Sequence, residues 1–208
     1  MKIVIAVPTY ESIYPDTFKA IWDLKKPEGA EVDFIYVRGY DCARARNNIV
    51  SKCKELKADY VLMIDNDTVP PKDALINLLE DDKDVVVGYY AHRVFNQKYD
   101  GRTNACKLGE FNYTKQYTGA ELHELRDAGH NVMQIHGGGL GCALIKMSLF
   151  DRLQFPWFDW KNYPNNYVLS EDLFFAENLR TNAQAIYVDT RVECGHIFRT
   201  VQNCNPTK

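Results

Sequence analysis

The sequence predicts an α/β fold: a single domain over residues 1–208, with a mostly parallel central sheet flanked by helices. Three observations carry this. Up to Tyr90, short apolar runs of strand length alternate with stretches of helical spacing. The runs are nearly continuous in Val, Ile, Leu and Tyr, as strands buried on both faces of a parallel sheet are. After Tyr90 the alternation gives way to a polar stretch, Ala91 to Gly119, which suggests a small antiparallel or hairpin excursion rather than another βα unit.

Lys2 to Val7 is the first strand, broken at its carboxyl end by Pro8-Thr9-Tyr10. A helix follows from about Asp16 to Leu24, then a second strand, Val32 to Val37, ending at Arg38-Gly39. Asp41 is placed to cap the next helix. That helix carries Ala45, Ile49, Cys53 and Leu56 on one face, an amphipathic spacing, and its first turns hold Arg44, Arg46, Asn47 and Asn48. Tyr60 to Asp65 is the third strand. Pro71 fits the first turn of a helix running to Glu80, and Asp84 to Tyr90 is the fourth strand. This order is that of a doubly wound half, with right-handed crossovers.

Beyond the excursion, Glu121 to Asp127 reads as a short helix and Val132 to Ile135 as a strand leading into Gly137-Gly138-Gly139-Leu140-Gly141. Cys142 to Leu153 reads as a strand and a short helix, and Phe155 to Tyr167 as an aromatic loop. Ser170 is placed to cap a helix that opens with Glu171-Asp172 and runs to about Arg180. Ala185 to Val188 is a late strand, and Gly195-His196 lies in the C-terminal segment.

The composition is that of a globular chain with a real core: 46% hydrophobic, 25% charged and a formal net charge of −3. Without a global basic field, duplex nucleic acid is not an obvious partner. The six cysteines, Cys42, Cys53, Cys106, Cys142, Cys194 and Cys204, contain no Cys-x-x-Cys pair, which argues against a zinc knuckle and gives no disulfide framework. No signal peptide or membrane span is legible, and a reducing cytoplasm, or host cytoplasm for a viral chain, is the expected location.

Asp65-Asn66-Asp67 closes the third strand's apolar run. On a strand, residues i and i+2 point the same way, so Asp65 and Asp67 could meet one hard cation at the carboxyl edge of the sheet, where open α/β sheets seat ligands. The same tripeptide, followed by Pro70-Pro71, also has the composition of a turn. His196 adds a possible nitrogen ligand, a set that suits Mn2+ better than Ca2+. The glycine run lacks the spacing of a dinucleotide fingerprint; it is a flexible turn or a place where backbone closely approaches a ligand. Glu171 and Asp172 at a helix N-terminus complement the helix dipole, which favours an ionised Asp172, as a general base requires. Trp157, Phe158, Trp160, Tyr163 and Tyr167 offer a sugar-stacking platform, with Trp157 and Phe158 better explained as packing.

Taken in order, Asp65-Asn66-Asp67, Gly137-Gly138-Gly139, Glu171-Asp172 and His196 resemble the marks of the GT-A-type glycosyltransferases, close to the family-2-type group of bacteria, phages and large viruses. Val7-Pro8-Thr9-Tyr10 and Ala45-Arg46-Asn47 resemble that group's nucleotide-binding segments, and the likeness runs from about Lys2 to His196. The resemblance implies a GT-A, Rossmann-like fold with a nucleotide-binding half, 1–90, and an acceptor and catalytic half, 91–208. It implies transfer of a sugar from a nucleoside diphosphate sugar, UDP-sugar favoured, to an acceptor hydroxyl, with inversion. Asp65, Asp67 and His196 would hold Mn2+ or Mg2+, and Asp172 would be the base, with Glu171 at the acceptor or sugar. Pro8, Thr9, Tyr10, Arg38, Asp41, Arg46, Asn47, Asp65, Asn66, Gly138 and Gly139 would line the donor. The acceptor, whether glycan, protein, lipid-linked precursor or modified nucleobase, is not legible. A sugar-nucleotide nucleotidyltransferase is the alternative, but Pro8-Thr9-Tyr10-Glu11 stands where its glycine-rich loop belongs. A non-catalytic nucleotide- or sugar-binding module is the other.

Overall fold

The computed structural model describes residues 1–92, 101–109, 115–164 and 167–198. Parts of the polar excursion, and Cys204, therefore lie outside the described residues.

The first half runs β1 (Lys2–Thr9), α1 (Pro15–Asp23), β2 (Glu31–Arg38), α2 (Cys42–Glu55), β3 (Tyr60–Ile64), β4 (Thr68–Val69), α3 (Ala74–Glu80) and β5 (Val85–Tyr89). It continues with β6 (Arg102–Cys106), β7 (Gln116–Thr118), α4 (Gly119–Asp127), β8 (Val132–Ile135), β9 (Gly137–Gly138) and β10 (Cys142–Lys146). A 3-10 turn (Met147–Asp151), β11 (Lys161–Asn162), β12 (Val168–Leu169), α5 (Glu171–Thr181), β13 (Ile186–Glu193) and β14 (Gly195–His196) complete it.

Seven strands form the central sheet in the order β2-β1-β3-β10-β5-β13-β8. Five point one way; β10 and β8 run against them. The sheet is thus mixed but mostly parallel, as expected. What the sequence did not disclose is that β10 inserts between β3 and β5. The glycine run carries the chain from β8 at the sheet edge to β10 with the strand direction unchanged, and the wholly apolar Cys142-Ala143-Leu144-Ile145 is buried at the centre of the sheet.

Alternate residues of the strands feed two cores. Ile3, Ile5, Leu62 and Ile64 pack against Ile21 of α1 and Leu75 and Leu78 of α3. Val4, Ala6, Val61 and Met63 pack against Ala45, Ile49 and Cys53 of α2, together with Phe150, Phe158 and Phe175. Leu56, expected on that face of α2, lies past the last turn and is exposed.

Several boundaries differ from expectation for local reasons. β1 runs through Pro8 to Thr9, because beyond Ala6 it pairs only with β2 and a missing N–H is tolerated there. β3 ends at Ile64, so Asp65-Asn66-Asp67 forms a turn rather than a strand end; the amide of Thr68 closes it on the carbonyl of Asp65. The i, i+2 argument for convergence therefore fails, and Asp and Asn follow their turn preference. Pro71 sits in a turn before α3, not in its first turn. β13 extends to Glu193, well past Val188.

Three small ladders shape the carboxyl edge. β7-β6-β9 is the antiparallel excursion, seated on Gly137 and Gly138. β11 and β12 form a hairpin before α5. β14 pairs with β4, His196 opposite Thr68, and this carries the C-terminal histidine back to the turn after β3.

Candidate active site

Arg46 is the most buried charge at the carboxyl edge, only 2% exposed on the inner face of α2. Its Nη2 donates to Asp65 Oδ1 at 2.8 Å, and its Nε reaches Glu171 Oε1 at 3.4 Å. One guanidinium thus joins the turn after β3 to the first turn of α5. Burial works against its charge, but Asp65 and then Glu171 outweigh it and hold the guanidinium protonated. Glu171 is 7% exposed and turned toward Arg46. Burial pushes its pKa up to about 7, with Asp172 and Asp65 adding to the rise and Arg46 opposing it.

Asp172 is held by its neighbours on α5. Ser170 occupies the N-cap position, but its hydroxyl does not cap the helix; it donates to Asp172 Oδ1, which also accepts from the amide of Leu173 at 2.8 Å. Burial raises the pKa of Asp172, while Ser170, Arg46 and the Leu173 amide restrain the rise. The expectation that the helix dipole keeps this carboxyl low is therefore corrected: desolvation wins at this helix end.

Asp67 and His196 are brought together across the β4–β14 ladder, His196 Nε2 lying 3.7 Å from Asp67 Oδ2. The other ring nitrogen, Nδ1, is 2.9 Å from the carbonyl of Ala91, which orients the imidazole. Among the described residues, no group of three or more His, Cys, Asp and Glu side chains is arranged to hold a metal. Asp65 commits one oxygen to Arg46, and its partly exposed side chain retains the other. Asp67 and His196 by themselves offer one oxygen and one nitrogen donor of the kind Mn2+ accepts, and an ion held by only one or two protein ligands is commonly completed by substrate phosphates.

Tyr90, just past β5, was missed by sequence reasoning. Its ring stands edge-on to His196 with centroids 5.0 Å apart, and its hydroxyl accepts from the amide of Gly141 at 3.2 Å. Burial, then the charges of Asp65 and Asp172, push its phenol pKa well up. Tyr90 also explains the glycine run. A Cβ on Gly139 would lie 2.2 Å from Tyr90 Oη, and one on Gly141 would meet Thr68 Oγ1 at 2.8 Å and the Tyr90 ring at 2.9 Å. Gly138 is buried beside Ile135. The close approach demanded of these glycines is thus to the protein's own side chains.

The remaining sequence-derived donor residues divide. Tyr10 and Arg38 are exposed at the carboxyl edge, Tyr10 at 70%. Pro8 and Thr9 are buried, and Thr9 donates to the carbonyl of Ser12 at 2.7 Å. Asn66 donates to the same carbonyl at 2.9 Å, binding the turn after β3 to the loop after β1. Asp41 caps α2 as expected, accepting from the amide of Arg44 at 3.1 Å. Asn47 commits its side-chain amide to the backbone of Phe158, donating at 2.7 Å and accepting at 3.3 Å, and so anchors the aromatic loop. In that loop Trp157 packs on Phe150 and Phe158 stacks on Phe175 at 4.7 Å, as core residues. Trp160 and Tyr167 stay exposed. A cavity of about 610 Å³ lies at the opposite edge, beside Lys54 and Lys146, far from these groups; another of about 570 Å³ borders His196.

No family model matches the chain. No curated protein sequence matches it significantly. Solved structures do. The crystal structure of A197 from STIV superimposes with a TM-score of 0.65 at 16% identity, over 96% of this chain and 87% of that one. GalNAc-T7, crystallised with UDP, GalNAc and Mn2+, superimposes with a TM-score of 0.60 at 12% identity. That match takes in 95% of this chain but only 44% of GalNAc-T7. The fold is GT-A-like: a central, mostly parallel sheet flanked by helices, shared with a sugar-transferase structure.

Proposed function

We propose that the chain is a metal-dependent glycosyltransferase that moves a sugar from a nucleoside diphosphate sugar, most simply a UDP-sugar, to an acceptor hydroxyl. The observation that carries this reading is Arg46, whose buried guanidinium ties Asp65 on one side to Glu171, next to Asp172, on the other. A likeness in fold to GalNAc-T7, a structure containing UDP, GalNAc and Mn2+, supports it.

In this reading residues 1–90 seat the nucleotide, with Tyr10 and Arg38 exposed to it and Thr9, Asn66, Asp41 and Asn47 shaping the loops. Asp67 and His196, with the second oxygen of Asp65, would hold Mn2+ or Mg2+, and the ion would supply positive charge to offset that on the departing diphosphate. Residues 91–208 bring the acceptor, with Trp160 and Tyr167 as a stacking surface. Asp172 takes the proton of the acceptor hydroxyl as that oxygen bonds the anomeric carbon, giving inversion. Burial suits the role, because a carboxylate whose pKa is raised is a stronger base in its ionised form. Glu171 acts through Arg46, holding it in place.

Differential scanning fluorimetry against nucleoside diphosphates, with and without Mn2+, is the first test. Metal-dependent stabilisation by UDP, followed by release of UDP from a UDP-sugar, is the expected result. Indifference to every nucleotide would count against the reading.

A further inference from the structure

The Tyr90 phenol is seated against the glycine run beside His196. Gly139 and Gly141 carry no side chain where one would collide with its ring or oxygen. Gly141 serves both sides of the site: its carbonyl accepts from the amide of Asp65 at 3.0 Å, and its amide donates to Tyr90 Oη at 3.2 Å. Because Oη accepts that bond, the phenol proton must point elsewhere, and no described residue accepts it. The hydroxyl lies within electrostatic reach of Asp65 and Asp172, and its ring borders His196.

Around this point the chain offers mainly acceptors: Asp65, Asp67 and Asp172. An anionic ligand entering beside these carboxylates needs donors. Arg46 already serves Asp65 and Glu171. A phenol is protonated at neutral pH and donates through one O–H. Resting on the glycosyltransferase reading, we propose that Tyr90 is a further substrate-contacting residue, its hydroxyl donating to an oxygen of the donor's diphosphate beside His196.

The test is Tyr90→Phe, which keeps the ring against the glycine run and removes only the hydroxyl. Three quantities are compared with the unaltered chain: the ligand-free melting temperature, the Kd for UDP with Mn2+ by calorimetry, and release of UDP from UDP-N-acetylgalactosamine and UDP-glucose. The expected result is a melting temperature within about 3 °C and UDP–Mn2+ binding weakened roughly 10- to 100-fold, the loss of one hydrogen bond to a charged group. Unchanged affinity overturns the proposal while leaving the glycosyltransferase reading intact. A larger fall in melting temperature with the affinity unchanged also overturns it, because the hydroxyl then serves Gly141 alone. If the unaltered chain neither binds UDP with Mn2+ nor releases it from either sugar nucleotide, the glycosyltransferase reading falls first and takes this contact with it.

Discussion

Arg46 Nη2 lies 2.8 Å from Asp65 Oδ1, a contact between residues nineteen positions apart that no local pattern announces. Its ion pair is buried on the arginine side, and the same guanidinium reaches Glu171. Removing one partner of such a network leaves charge without compensation, which costs more than the intact pair contributes. Arg46→Met should therefore lower stability at neutral pH by about 3 kcal/mol in urea unfolding. Adding Glu171→Gln should cost less than the two single losses summed, since the glutamate is already unpaired once Arg46 is gone. Strict additivity would show that the contact carries no coupling.

Asp172→Asn should abolish sugar transfer while leaving UDP–Mn2+ affinity within about threefold, as expected for a base not needed for ground-state binding. Full transfer activity in this variant would remove Asp172 from the mechanism. Ser170→Ala gives a finer reading. The Ser170 hydroxyl holds the Asp172 pKa down, so its loss should move the acid limb of the kcat/KM profile to higher pH. A limb that stays in place, or moves down, contradicts the assignment.

Asp67→Ala should remove the part of UDP stabilisation that depends on Mn2+ and leave the metal-free part. The measurement is a melting curve with UDP, with and without Mn2+, for both chains. An equal metal-dependent shift in the variant would place the ion elsewhere.

Gly139→Ala forces a methyl group to within 2.2 Å of Tyr90 Oη, so the neighbours must shift. Overpacking of this kind costs about 1–3 kcal/mol. Combining it with Tyr90→Phe removes the nearest clashing atom and should recover part of the loss, since the next contact lies at 3.1 Å. No recovery would mean that the strain lies in the backbone.

Asp81, far from the candidate site, titrates with stability. Burial, then the charge of Asp189, raises its pKa to about 7, although Arg191 donates to it at 2.7 Å. Its other oxygen is buried with no hydrogen-bond partner. A carboxyl raised in the folded state binds a proton more tightly there than when unfolded. Its contribution is therefore present at low pH and declines as pH rises from about 4 to about 7. Asp81→Asn should flatten this decline in urea unfolding measured across that window. An unchanged slope would rule Asp81 out as its source.

How much was legible from residues alone depends on range. The strands of the first half, the α2 cap at Asp41 and the burial of Phe158 follow from periodicity and local hydrogen bonding, which act over a few residues. Asp65, Asp67, Asp172 and His196 stand out together only through the resemblance carried by their order along the chain. Their geometry was not legible. Asp65 and Asp67 leave the strand for a turn, and only the pairing of β14 with β4 brings His196 to Asp67. The sequence could not say what Gly139 and Gly141 make room for, because Tyr90 comes from another strand's end. Nor could it say that Arg46 is buried between two carboxylates, since burial and partners are set by elements distant in sequence. By itself, then, the chain determined its elements, its class and a short roster of chemical groups. Tertiary structure decided which groups touch, because contact between residues far apart in sequence depends on the sheet order, and that order turns on where β10 inserts.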